Sequence, residues 1–243
     1  NPMGTRPIAG ASNWISTRAS KWLSEYLLPH VKAIPTRVGR IEEITDWIKK
    51  HNRDVNHLSA TTRDRMSTRQ LVVGTADVVA MYPNINNEEG SAALRWFLQT
   101  RGIHPLEIDF IVKLAEWILT SMTVRFGPWI FAQIKGTAMG TNFAPEYANI
   151  TMFYTEARHL KLIPPGMPII PGKPVPGLYN PLPSNLRLPT LTKWEDPRTL
   201  QVHEGFVILP FYGRYIDDIF MVAIVNNETR DTLRKNTQEV VKA

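Results

Sequence analysis

Two adjacent aspartates inside an apolar run constrain the fold of this chain more than any other feature. Asp217 and Asp218 lie in the segment Tyr-Ile-Asp-Asp-Ile-Phe-Met-Val-Ala-Ile-Val, residues 215–225. A buried and unpaired carboxylate costs several kcal/mol, and adjacent residues of a strand face opposite sides of a sheet. A turn between two strands would relieve this conflict, so the segment predicts a hairpin that presents both acids at its apex.

A third aspartate, Asp77, is embedded in a second apolar run in the same way. It lies in the β-branched stretch 71–82, which predicts a buried strand that ends before Pro83-Asn84. One reason to keep carboxylates at such places is a divalent cation, although Asp also favours ordinary turns. Should the two strand ends converge, the three acids could hold two Mg²⁺ ions at roughly 3.5–4 Å for in-line phosphoryl transfer.

A loop with two glycines lies between these acidic segments. Lys135-Gly136-Thr-Ala-Met139-Gly140 precedes Pro145, which predicts the start of a helix that extends to about residue 162. Glycines let a backbone approach a ligand closely, and a helix N-terminus favours anions. A loop and helix start without any ligand would give the same pattern.

The basic excess of the chain is confined to its first 70 residues. Residues 1–70 hold 12 Lys+Arg and 6 Asp+Glu, residues 71–243 hold 16 of each, and the net charge is +6. A one-sided basic surplus suits a nucleic-acid backbone, although a net charge of this size is also a common solubility margin. The chain has no cysteine, which excludes disulfides, thiolate metal sites and a cysteine nucleophile. No apolar run approaches 18 residues, so we expect no membrane span.

The order of predicted elements indicates an α+β fold, because strands and helices mix without a strict βαβ repeat. Residues 164–197 hold 10 of the 19 prolines and predict an extended loop fixed by some packing surface. The remaining expectations are a helix from Ser16 stopped by Pro29, helices over 41–51, 88–101 and from 105, a hairpin over 124–134, strands over 202–210 and 214–225 that meet at Tyr212-Gly213, and a polar helix from residue 227.

Together these segments resemble the palm of a reverse transcriptase, and more narrowly that of a Penelope-like retroelement enzyme. Residues 6–12, Arg-Pro-Ile-Ala-Gly-Ala-Ser, resemble an element of that family's fingers, and residues 77–85, Asp-Val-Val-Ala-Met-Tyr-Pro-Asn-Ile, resemble its first catalytic motif. Residues 135–149 resemble the second motif, and residues 214–220, Arg-Tyr-Ile-Asp-Asp-Ile-Phe, match the third almost letter for letter. Telomerase is a more distant relative by the same motifs.

The resemblance implies a right-hand palm, an antiparallel sheet with packed helices, together with partial fingers. The implied domains are partial, basic fingers over 1–70, a palm with the first two motifs over 71–162, a Pro-rich insertion over 163–200, and the palm hairpin with its following helix over 201–243. Pro83 departs from the family's usual Thr. The chain is expected to begin inside the fingers element and to end before a thumb.

The resemblance also implies a role for each matching residue. Asp77, Asp217 and Asp218 would hold two Mg²⁺ ions, with Mn²⁺ as a substitute, and Asp77 and Asp217 would be the most central. The backbone carbonyl of Val78 would add a ligand, and the Tyr82 ring would crowd a 2′-hydroxyl and so favour deoxynucleotides. The residues implied to bind the nucleotide or line the templating base are Arg6, Gly136, Met139 and Gly140.

The function implied is that of an RNA-directed DNA polymerase core that transfers deoxynucleotides to a primer 3′-hydroxyl. Its partners would be an RNA template, a primer, deoxynucleoside triphosphates and any chains that supply the missing fingers or thumb. A retroelement enzyme of this kind would act in the nucleus. The alternative is a non-catalytic, reverse-transcriptase-derived RNA-binding subunit of a large ribonucleoprotein, such as a mitochondrial ribosome.

Overall fold

The structure is a computed structural model that describes residues 14–56, 69–137, 140–163, 166–182, 186–187, 193–195, 202–204 and 208–226. It mixes helices with a small antiparallel sheet, which confirms the predicted α+β class. The elements are α1 (Thr17–Lys32), α2 (Ile41–Asn56), β1 (Arg69–Asp77), α3 (Met81–Asn84), α4 (Asn87–Thr100), α5 (Pro105–Thr120), β2 (Thr123–Phe126), β3 (Trp129–Ala132), α6 (Ala144–His159), β4 (Leu186–Arg187), β5 (Lys193–Glu195), β6 (Val202–Glu204), β7 (Ile208–Tyr215) and β8 (Asp218–Asn226).

The chain divides into two compact units. Unit 1 comprises Asn1–Pro35 and Val78–Asn180, and unit 2 comprises Thr36–Asp77 and Pro181–Ala243. The division falls between Asp77 and Val78, inside the predicted range 71–162, and the predicted domain ranges stay a prediction. No helix among the described residues is long and apolar enough to span a membrane.

Unit 1 is built from helices that bury their apolar faces on one another. The helix α4 starts where the Asn86 side chain accepts hydrogen bonds from the backbone of Glu88 and Glu89, which satisfies donors that a helix start leaves free. Phe97 of α4 and Phe153 of α6 are fully buried and meet edge to face, with ring centroids 6.3 Å apart. The other fully buried large side chains of these helices include Leu94, Leu98, Ile108, Ile111, Ile118 and Tyr147.

The helix α1 continues through Pro29, so the prediction that this proline stops it was wrong. Proline removes a backbone donor and disfavours a helix interior. The last turn of α1 nevertheless buries Val31, which is 2% exposed, and its His30 accepts a hydrogen bond from Arg101 at 3.4 Å. Packing of this turn therefore outweighs the local preference for a break.

Part of the Pro-rich segment, within residues 166–180, is fixed by unit 1 itself. The Val175 N–H donates to the Thr100 carbonyl at 2.8 Å, and the Tyr179 hydroxyl lies 2.7 Å from the Thr100 hydroxyl. The Arg101 guanidinium lies 4.2 Å from the centroid of the Tyr179 ring, and burial raises the pKa of Tyr179 to about 12. These contacts supply the packing surface that the sequence predicts for the segment.

Unit 2 contains an antiparallel sheet with the strand order β1-β8-β7-β4. The strand β7 runs without a break through Tyr212 and Gly213 and pairs with β8 up to Tyr215 opposite Asp218. The prediction that two strands meet at Tyr212-Gly213 was therefore wrong, and the turn lies at Ile216-Asp217. The predicted helix from residue 227 lies outside the described residues.

Candidate functional site

The predicted acidic residues lie at one end of the sheet in unit 2. The strand β1 ends at Asp77, and its register places Asp77 directly opposite Asp218, the first residue of β8. Residues directly opposite in an antiparallel pair point to the same face, with Cβ atoms about 4.5–5.5 Å apart. The structure therefore brings Asp77 and Asp218 together although 140 residues separate them in sequence.

The turn between β7 and β8 holds the remaining aspartate, Asp217. The preceding residue, Ile216, has a φ of 55°, a conformation that costs a β-branched residue about 1–3 kcal/mol. The buried Arg214 side chain donates a hydrogen bond from Nη1 to the Ile216 carbonyl at 2.7 Å. This bond stabilises the strained turn, and we infer that Arg214 positions the carboxylates that follow it.

The sequence did not assign this role to Arg214, although the residue immediately precedes the Tyr-Ile-Asp-Asp segment. Both backbone groups of Arg214 are also engaged, because its N–H donates to the Thr36 carbonyl and its carbonyl accepts from the Val38 N–H, each at 2.8 Å. The only sequence signal available was a charged residue inside an apolar strand, since such a charge needs partners when it is buried.

The three carboxylates have the chemistry that a hard divalent cation requires. Asp77 and Asp218 are exposed and Asp217 is half-buried, and within the described ranges none of them forms a hydrogen bond or an ion pair. Like charges directly opposite across two strands destabilise a sheet. A bound cation would offset this repulsion, and carboxylate oxygens are ligands that Mg²⁺ prefers. The residues present therefore fit a magnesium ion.

Asp217 does not form a preformed cluster with Asp77 and Asp218. Among the residues that the structure describes, no three His, Cys, Asp or Glu side chains are grouped so as to hold an ion. The resemblance implies that Asp77 and Asp217 are the most central of the three acids, and the register places Asp218 opposite Asp77. Mg²⁺ commonly takes one or two carboxylates together with substrate phosphates, so a pair of carboxylates is a donor set of the size that this ion uses.

A cavity of about 830 Å³ opens beside the carboxylate pair in unit 2. Asp77 and Asp218 contribute to its lining, together with Arg40 and the apolar residues Val38, Ile41, Ile44 and Phe220. Gly213 lets the wall form, because a Cβ at this position would lie 2.4 Å from Val38 Cγ2. Carboxylates beside an apolar cavity of this size can bind a ligand that has both a cationic or metal-bound part and an apolar body.

In unit 1, the structure brings Tyr82 and Gly136 together. Tyr82 lies in the short helix α3, and its carbonyl accepts a hydrogen bond from the Thr137 N–H at 2.9 Å. Gly136 has a φ of 79°, and a Cβ on it would lie 2.6 Å from the Tyr82 carbonyl oxygen. Only glycine combines this conformation with this close approach, so Gly136 fixes the loop against α3.

The rest of the loop is described in part. Gly140 is exposed with a φ of 107°, whereas Met139 and Arg6 lie outside the described residues. The hydroxyls of Thr137 and Thr141 are buried and have no hydrogen-bond partner within the described part of the chain. Buried hydroxyls usually have a partner, and these two belong to the loop and to the residue that follows it.

The start of helix α6 is closed rather than open to an anion. Phe143 and Ala144 are buried, and the Phe143 N–H donates to the Ser20 hydroxyl at 3.2 Å. Glu146 in the first turn accepts a hydrogen bond from the Ser24 hydroxyl at 3.1 Å, and a carboxylate there favours the positive end of the helix dipole. The Phe143 N–H is therefore engaged within the protein, as in the alternative that this helix start binds no ligand.

The fold of this chain resembles that of a solved structure. The chain is similar to apo telomerase from Candida tropicalis, truncated from its C-terminal domain, at a TM-score of 0.50 and 12% sequence identity over 96% of this chain. The chain spans 40% of that telomerase chain. No protein-family profile and no curated protein sequence matches this chain. At this identity the likeness is one of fold, and it agrees loosely with a reverse-transcriptase-like arrangement of helices and antiparallel strands.

Proposed function

We propose that this chain is the palm core of an RNA-directed DNA polymerase of the Penelope-like type. The observation that carries the proposal is the register that places Asp77 opposite Asp218, beside a turn that holds Asp217. The motifs that resemble those of reverse transcriptases led to these residues, and the fold likeness to telomerase, a reverse-transcriptase relative, supports the same class.

Asp77 and Asp218 would hold Mg²⁺ between their carboxylates, with Asp217 and the backbone carbonyl of Val78 as further ligands. Two such ions, when bound, stabilise the charge that develops on the attacking and leaving oxygens of phosphoryl transfer. The protein's own contribution is to fix the donors before substrate arrives. Arg214 serves this end, since its hydrogen bond to the Ile216 carbonyl restrains the turn.

Tyr82 and the loop from Gly136 to Gly140 would select the incoming deoxynucleotide. The Tyr82 ring would exclude a 2′-hydroxyl, and the close packing of Gly136 on the Tyr82 backbone would keep that ring in place. Met139 and Gly140 would line the base, and the Arg6 guanidinium would bind the triphosphate through charge-assisted hydrogen bonds.

Primer extension on an RNA template tests this proposal directly. A 5′-labelled DNA primer, the four deoxynucleoside triphosphates and Mg²⁺ are combined with the wild-type chain or with D77N, D217N or D218N. Metal-bound charge stabilisation contributes several kcal/mol, so we expect D77N and D218N to extend about a hundredfold more slowly or worse. Asp46→Asn, at an exposed acid of α2 in the same unit, is the control and should extend like wild type.

The competing function is RNA binding without catalysis, as a structural subunit of a ribonucleoprotein. It is favoured by the lack of a three-ligand metal cluster among the described residues. A chain of this kind would bind folded RNA equally well in Mg²⁺ and in EDTA after correction for ionic strength. It would also bind unchanged as the D77N/D218N double variant and would extend no primer.

A further inference from the structure

The hairpin of β2 and β3 in unit 1 exposes a concentration of large apolar side chains. The exposed fractions are 68% for Trp129, 71% for Ile130, 55% for Phe131 and 91% for Ile134. Contiguous exposed apolar residues of this size mark an interaction surface. None of the roles proposed above uses this hairpin.

The two aromatic rings lie on the same face of β3 and have no aromatic partner among the described residues. Trp129 and Phe131 are two residues apart in the strand, so their side chains are spaced by about 6.8 Å along it. This is about twice the 3.4 Å rise of stacked bases along a nucleic-acid strand. The spacing therefore suits unpaired bases stacked on the rings or one base held between them.

The segment that contains the hairpin carries only positive charge, which suits a polyanion. From Ser121 to Phe143 the sequence contains no Asp or Glu, and its only charged residues are Arg125 and Lys135. Lys135 is exposed and follows directly after Ile134. A positively charged groove or strip with aromatic side chains is the arrangement by which proteins bind single strands without sequence preference.

The hairpin is also held firmly enough to act as a platform. Its register runs from Thr123 opposite Ala132 to Phe126 opposite Trp129, and Gly127 supplies the positive φ, 59°, that a two-residue turn requires. The Gln133 N–H donates to the Met122 carbonyl at 3.0 Å and closes its open end. The chain then passes through two residues to Gly136, which packs on Tyr82 in the same unit.

We propose that this hairpin binds a single-stranded nucleic acid through base stacking on Trp129 and Phe131. That the bound strand is the unpaired template next to the nucleotide rests on the proposed polymerase function. The stacking itself does not depend on that function. A partner protein or a second copy of this chain could also cover apolar residues, but neither explains an acid-free segment with two rings at twice the rise of stacked bases.

Fluorescence anisotropy with a fluorescein-labelled ten-nucleotide oligouridylate, measured in EDTA, tests the proposal. W129A and F131A should each weaken binding about fivefold or more, which is the lower end of what one stacked base contributes. I130A removes a side chain of similar exposure from the opposite face of β3 and should change affinity less than twofold. W117A, at an exposed tryptophan of α5, is the second control.

Equal losses in I130A and F131A, or unchanged affinity in the double variant W129A/F131A, would overturn the proposal. So would a sedimentation result in which the double variant breaks up a dimer without affecting oligonucleotide binding. Failure of the two ideas is separable. If the ring variants lose oligonucleotide binding but wild type extends no primer, the stacking proposal stands and the polymerase proposal is wrong. If wild type extends a primer but the ring variants bind the oligonucleotide normally, only the stacking proposal is wrong.

Discussion

The opposed carboxylates make a prediction about stability that can be worked out from the register alone. Asp77 and Asp218 lie directly across from each other, and within the described residues neither has an ion pair. Two like charges about 5 Å apart in a water-like dielectric repel by about 0.8 kcal/mol, which lies within the range of about 0.2–1 kcal/mol for cross-strand pairs. Replacing one charge should therefore stabilise the metal-free chain.

Asp218→Asn should raise the melting temperature in EDTA by about 2 °C, since 1 kcal/mol shifts Tm by roughly 2–4 °C in a chain of this size. In 10 mM Mg²⁺ the melting temperature of D218N should instead lie below that of wild type, because only the wild-type pair gains stability from binding the ion. Differential scanning calorimetry in both buffers measures the two shifts. Asp46→Asn controls for the loss of a charge elsewhere in unit 2.

Two results would refute this reasoning. The first is a lower melting temperature for D218N than for wild type in EDTA, since that would mean that the carboxylate has a stabilising partner. The second is a wild-type melting temperature that Mg²⁺ leaves unchanged or shifts no more than it shifts D218N.

Further predictions concern backbone packing, pH and the turn. Gly136→Ala should destabilise the chain by about 2 kcal/mol or more in a denaturant melt, because it adds a backbone clash to an unfavourable φ, whereas Gly127→Ala, with open space around it, should cost only the φ strain. Burial and the Arg101 guanidinium lower the pKa of His30, so its neutral form is favoured in the folded chain. The free energy of unfolding should therefore fall as the pH drops below about 6.5. His30→Asn should reduce this loss of stability at low pH. Arg214→Met, which keeps the apolar stem but not the bond to the turn, should lower primer extension and Mg²⁺ affinity while preserving most helical circular dichroism.

The strand ends that carry acids could be predicted from sequence because burial of carboxylates is costly. Asp77 lies at the end of β1 and Asp217 lies in the turn before β8, as that cost requires. The pairing register could not be predicted, since a shift of one residue exchanges the faces on which Asp217 and Asp218 lie. That Asp218, rather than a neighbouring residue, lies opposite Asp77 is therefore known only from the structure.

Tertiary contacts account for the elements that sequence reasoning placed wrongly. Pro29 and Gly213 are both residues that favour breaks and turns, yet one lies inside α1 and the other inside β7. Burial of Val31 keeps Pro29 within the helix, and the close approach of Val38 explains why a glycine lies at position 213 of the strand. Such contacts join residues far apart in sequence, so local patterns cannot reveal them.

The central claim is that Asp77 and Asp218 hold a divalent cation, and Mn²⁺ titration followed by electron paramagnetic resonance tests it most directly. The free-ion signal, recorded with the 243-residue chain, a template–primer duplex and a non-hydrolysable deoxynucleotide, counts the ions that are bound. Wild type and D46N should bind Mn²⁺ tightly, and D77N and D218N should bind it at least tenfold more weakly. Equal Mn²⁺ affinity in all four proteins would contradict it.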